Sequence, residues 1–126
     1  MTPQELENAF DSMIPTLAKV PNVTQDMLAF DGSAQDIELF GYFFYEGILP
    51  EIFPDTRKAA LYILAKALCN DLGFEWAENL LLTHKKSGLT VNLDAIKPDE
   101  SKGIETDFGA IDTCFDSVKL TIARRR

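Results

Sequence analysis

Leu89, Val91 and Leu93 alternate one by one with Thr90, Asn92 and Asp94. A period of two belongs to a strand with one buried face. Lys85-Lys86-Ser87-Gly88 supplies turn residues just before it, and Phe74 and Trp76 alternate further upstream. The span from Phe74 to Ile96 is therefore predicted to be an antiparallel β-hairpin. Glu75 and Glu78 ahead of Lys85 and Lys86 would also suit a helix dipole. Strand is preferred because Gly73 already ends a helix. Elsewhere the apolar residues recur at threes and fours, so the hairpin makes the chain α+β: about four helices packed on a short antiparallel sheet.

The first helix opens at Thr2-Pro3-Gln4-Glu5, a cap, a proline at the first helical position and a capping-box glutamate. Leu6, Phe10, Met13 and Leu17 follow at helical spacing, Pro15 is expected to kink or end the helix, and Pro21-Asn22 closes the segment. Ser33 and Asp36 resemble a second helix start, with Ile37, Phe40, Phe44 and Ile48 on one face. The aromatics from Phe40 to Tyr45 also favour a strand; helix is preferred, ended by Gly47 and Pro50. Asp55 is the expected cap of a third helix with an apolar stripe of Ala60, Leu61, Leu64, Ala67, Leu68 and Leu72, and Gly73 the expected left-handed end. Lys97 to Glu105 is polar, with Pro98 and Gly103, and is predicted to be an exposed loop. Phe108, Ile111, Phe115, Val118 and Ile122 then define a last helix, with Asp107 and Asp112 near its start and Arg124, Arg125 and Arg126 at its end. No repeat or linker divides the chain, so residues 1–126 are expected to form a single domain.

Twenty acidic against twelve basic residues give a formal net charge of -8. That field repels phosphate backbones and anionic membrane surfaces, so neither nucleic acid nor membrane is an expected partner. It suits a basic protein partner, or simply solubility. No apolar run reaches the roughly 20 residues that span a bilayer. The segment Met1 to Glu5 has neither the basic region nor the apolar core of a signal peptide, and a cytoplasmic location is expected. Cys69 and Cys114 form no disulfide framework and are read as small buried hydrophobes in a reducing compartment.

Catalytic and metal chemistry find little support. His84 is the sole histidine, and neither cysteine stands at ligand spacing from it, so no metal site is expected. A nucleophilic pair of Cys69 or Cys114 with His84 would need an exposed thiolate and a third orienting group; His84 is read instead as a surface or hairpin-end residue. No nucleophile elbow, phosphate-cradling loop or dinucleotide fingerprint is present, and no cofactor is expected. Asp26 and Asp31 could in principle act as an acid-base pair, but solvated carboxylates are the background of so acidic a chain. The terminal arginines are better explained as a helix end than as a nucleic-acid tail.

One region departs from the average. Val20 to Thr56 holds seven acids and no lysine or arginine, together with seven of the thirteen aromatics. Four consecutive aromatics, Tyr42 to Tyr45, sweep about 300° around a helix, so they cannot all face one core. Aromatics among acids suit a surface that binds a basic protein. The same composition also suits an acidic helix buried on several sides within an aromatic core. The expected contact residues are Asp31, Asp36, Glu38, Tyr42, Tyr45, Glu46 and Glu51.

The runs Leu72-Gly73-Phe74-Glu75-Trp76, Leu80-Leu81-Leu82-Thr83-His84 and Ser87-Gly88-Leu89-Thr90-Val91, with Asp107-Phe108 opening a final helix, resemble a pattern of small uncharacterised bacterial domains. The resemblance covers about half the chain and implies a fold without a function. In overall character the chain is similar to bacterial immunity proteins that neutralise a toxin. That likeness implies a non-enzymatic inhibitor, monomer or homodimer, and transfers no residue roles. The alternatives are a chaperone for a secreted effector, which would be a homodimer with a large apolar face, and a small cysteine-dependent hydrolase.

Overall fold

The protein is described by a computed structural model covering residues 2–45, 55–96 and 105–124, with side-chain positions for all of these but 44, 45, 56, 105–110 and 112. Its helices are α1 (Pro3–Ala18), α2 (Gln35–Tyr45), α3 (Thr56–Leu72) and α4 (Glu105–Arg124). Three strands lie between α3 and α4: β1 (Glu75–Trp76), β2 (Leu81–His84) and β3 (Leu89–Asn92). Short 3-10 turns occupy Gln25–Leu28 and Leu93–Ala95. The fold is α+β, with an antiparallel sheet of order β1-β2-β3.

The first helix begins where its signals place it. Thr2 Oγ1 accepts from the Glu5 N–H at 3.2 Å, and Pro3 occupies the first turn. Leu6, Ala9, Met13 and Leu17 form the buried face, with Phe10 and Ile14 half-buried beside it. The helix runs through Pro15 and ends three residues later at Ala18. Next to the bond that proline cannot make, Thr16 Oγ1 donates to the Ser12 carbonyl at 2.9 Å.

α3 is the centre of the molecule and packs against α1, α2 and α4. The predicted stripe is present, but burial extends well beyond it. Ala59, Ile63 and Ala65 are also enclosed, because short alanine side chains let neighbouring helices close in. The stripe that remains outward is Lys58, Tyr62, Lys66 and Asn70, four residues apart. Asp55 stands at the N-cap position without a side-chain hydrogen bond. Gly73 ends the helix at φ +80, where a side chain would be strained, and the Phe74 N–H turns back to the Leu68 carbonyl at 3.1 Å.

The sheet flanks this core and contributes Phe74, Leu80, Leu82, Val91 and Leu93 to it. His84 pairs with Leu89 across the predicted turn at residues 85–88, which closes with Gly88 N–H donating to the His84 carbonyl at 2.8 Å. The first arm is shorter than its alternation predicts. Phe74 is buried but Trp76 is exposed, because only two residues pair with β2 before the chain turns at Asn79, φ +47. α4 presents Ile111, Phe115 and Ile122 to the core with Val118 half-buried. It begins at Glu105, two residues ahead of the Asp107-Phe108 start expected from the sequence. The Phe108 side chain, residues 46–54 with the expected helix end at Gly47 and Pro50, and residues 97–104 of the expected loop lie outside the described residues. Among the described residues no helix is long and apolar enough to cross a membrane.

Candidate binding surface

α2 begins against the end of α3, and that junction shapes the acidic face. The Asp36 carboxylate accepts from the Asp31 N–H at 3.0 Å and the Gly32 N–H at 2.8 Å. Asn70 Nδ2 donates to the Gly32 carbonyl at 2.8 Å, and Asp71 Oδ2 accepts from the Ala34 N–H at 2.8 Å. An acid from the end of one helix thereby satisfies a backbone donor at the start of the next. Gly32 has φ +84, and a Cβ there would stand 2.6 Å from Asn70 Nδ2, so the loop can approach α3 only as glycine.

The carboxylates at this junction differ in environment. Asp36 is 4% exposed, with its carboxylate turned to the loop backbone. Burial pushes its carboxyl above the ordinary 3.8, against the pull of the two backbone donors. The Asp31 side chain is exposed and accepts from Ser33 Oγ at 2.6 Å and the Ser33 N–H at 3.0 Å. The hydroxyl, followed by the N–H, holds the Asp31 carboxyl below its ordinary value.

A depression of about 420 Å³ opens over this junction, lined by Ala29, Asp31, Gln35, Asp36, Glu38, Leu39 and Tyr42. Glu38 and Tyr42 are one helical turn apart and both exposed, Tyr42 to 48%. The Tyr42 ring meets Phe43 edge to face at 5.5 Å, while Phe40 and Phe43 are buried. The aromatic run thus divides between core and surface, as its angular width requires. Four of the seven expected contact residues, Asp31, Asp36, Glu38 and Tyr42, meet here. Glu46, Glu51 and the side chain of Tyr45 lie outside the described residues.

A second cleft of about 270 Å³ adjoins the first and shares Asp31 and Asp36 with it. Its remaining lining is Phe10, Phe30, Gly32, Tyr62, Ile63, Lys66 and Asn70. The sequence pattern did not single out Tyr62, Lys66 or Asn70. Their spacing of four on the outward stripe of α3 is the signal that would have found them.

The nucleophile candidates are placed less favourably. Cys69 and Cys114 are half-buried and free rather than fully enclosed, and burial raises both thiols above their ordinary value. A thiol shifted that way carries less thiolate at neutral pH. His84 does sit at the hairpin end, but it is 9% exposed and packs on Phe74 with ring centroids 5.3 Å apart. Its Nδ1 accepts from the Ser87 N–H at 3.2 Å and lies 2.6 Å from Ser87 Oγ, so the imidazole braces the turn. Among the described residues no group of three or more His, Cys, Asp or Glu is placed to hold a metal ion.

Comparison of the chain with protein-family models, with curated proteins and with solved structures returns no match.

Proposed function

We propose that the chain is a non-enzymatic binding module of the bacterial immunity type, which neutralises a basic toxin by laying its acidic face over the toxin's active-site cleft. The observation that carries this reading is the pairing of exposed Glu38 and exposed Tyr42 around one depression, within a stretch that has no lysine or arginine from Val20 to Thr56. The charge steers a basic partner, and the tyrosine offers the amphipathic ring that anchors interfaces. The raised thiols of Cys69 and Cys114 favour this reading over a cysteine hydrolase. The exposed large apolar side chains among the described residues, Tyr42, Trp76 and Leu120, stand on three different elements. That scatter favours a monomeric inhibitor over an effector chaperone with one broad apolar face.

The test is kinetic and uses the partner captured by the wild-type chain. Glu38→Lys should slow association and flatten its dependence on salt. Tyr42→Ala should mainly speed dissociation, at a cost of about 2 kcal/mol if the ring is an anchor. Binding indifferent to both substitutions, in variants that remain folded, would move the interface elsewhere. Asp36 is unsuitable for such a test because its carboxylate holds the loop.

A further inference from the structure

The cleft beside the Glu38–Tyr42 depression has a composition of its own. One wall is aromatic: Phe10 meets Phe30 edge to face at 5.5 Å and Tyr62 at 5.0 Å, and all three rings are half-buried. Asp31 and Asp36 stand in the same cleft, and the charges of Glu7 and Asp11 are close enough to Tyr62 to disfavour its ionisation after burial has done so. Negative charge beside ring faces attracts a cation that also stacks.

The hydrogen-bonding capacity points the same way. Asp31 uses Oδ1 for Ser33, and Asn70 uses Nδ2 for the Gly32 carbonyl. The Asp31 carboxyl also interacts with that of Asp36, while among the described residues no donor is seated on Asn70 Oδ1. Both side chains are exposed at the cleft, and what a carboxylate or an amide oxygen can take there is a donor. Lys66 also lines the cleft but forms no ion pair with a described carboxylate. A guanidinium fits best, since it is planar, weakly hydrated and able to stack on a ring while donating in its plane.

We propose that this cleft takes the guanidinium of an arginine on the basic partner, stacked on the aromatic wall and hydrogen-bonded by Asp31 and Asn70. The proposal rests on the binding reading above only for the source of the arginine.

The experiment is a titration of the full chain with N-acetyl-arginine amide, followed by NMR. Saturable shifts are expected at the Phe10, Phe30 and Tyr62 rings and at the Asp31 and Gly32 amides. The citrulline amide keeps the shape without the charge and should bind at least about tenfold more weakly. Lys66→Ala removes a like charge and should hold or strengthen arginine binding; Phe30→Leu should weaken it. Shifts that lie elsewhere, a citrulline amide that matches arginine, a lysine amide that binds as tightly, or weaker binding to Lys66→Ala would each overturn the proposal. The titration needs no partner protein, whereas the Glu38 and Tyr42 kinetics do, so either reading can fail without the other.

Discussion

A carboxylate taken out of water needs donors to follow it, and at Asp36 they come from the backbone four and five residues earlier. Truncating it strands the Asp31 and Gly32 N–H groups together. Asp36→Ala should therefore cost about 1–3 kcal/mol, read as a lower denaturation midpoint in urea. The pH dependence has a definite sign. Burial raises the Asp36 value in the folded state above the ordinary 3.8, so the folded chain holds that proton more tightly than the unfolded one. The contribution to stability is present in full below 3.8 and is lost as pH rises through the folded value. Wild type should accordingly lose stability relative to Asp36→Asn as pH rises from 3.8. Asp31 works in the opposite sense, since its lowered value favours the folded state above 3.8 and less so as pH falls. An Asp36→Asn difference that is flat with pH would remove Asp36 from this account. Neither role is visible in the run Asp31-Gly32-Ser33-Ala34-Gln35-Asp36, where both acids read as surface charge. The donors that distinguish them are set by a glycine at positive φ and by side chains 37 and 38 residues further on.

At the scale of elements, what was legible depended on whether one face of a helix differs from the others. α4 has polar residues around its apolar line, and Ile111, Phe115 and Ile122 are buried as their spacing predicts. The single stripe expected on α3 leaves out Ala59, Ile63 and Ala65, which are enclosed because the helix is packed on more than one side. A central helix is recognised by small residues on several sides, and small residues leave periodicity unchanged. The two helices should therefore fail in opposite ways. Phe115→Ala leaves a void and should cost about 3–5 kcal/mol. Ala65→Leu adds volume where helices are already in contact and should cost about 1–3 kcal/mol. Chemical denaturation of both variants checks the pair, and a neutral Ala65→Leu would place that side of α3 against solvent. The hairpin turn was legible for a local reason, since Gly88 at φ +76 and the Ser87–His84 bonds lie within five residues. The aromatic cleft was not, because Phe10, Phe30 and Tyr62 come from three separate parts of the chain.

For the whole molecule, the net charge of -8 is not spread evenly, and of the stretch without basic residues Asp31, Asp36 and Glu38 line the depression at the start of α2. This face is fastened to the central helix: Asn70 and Asp71, at the end of α3, hold Gly32 and Ala34. The loop that carries the acids therefore cannot open on its own while the last turn of α3 stays in place. In amide hydrogen exchange, Ala34, whose N–H is held by Asp71, should exchange together with the C-terminal turn of α3, and Gly32, whose N–H is held by Asp36, should also exchange well below the rate of an exposed loop. Asn70→Ala should release Gly32 first and speed its exchange, with smaller effects inside α3. Gly32 and Ala34 exchanging freely in the wild type would mean that the loop moves apart from the core. Held as it is, the loop has little conformational freedom left, so a group that bound to this face would cost little further ordering.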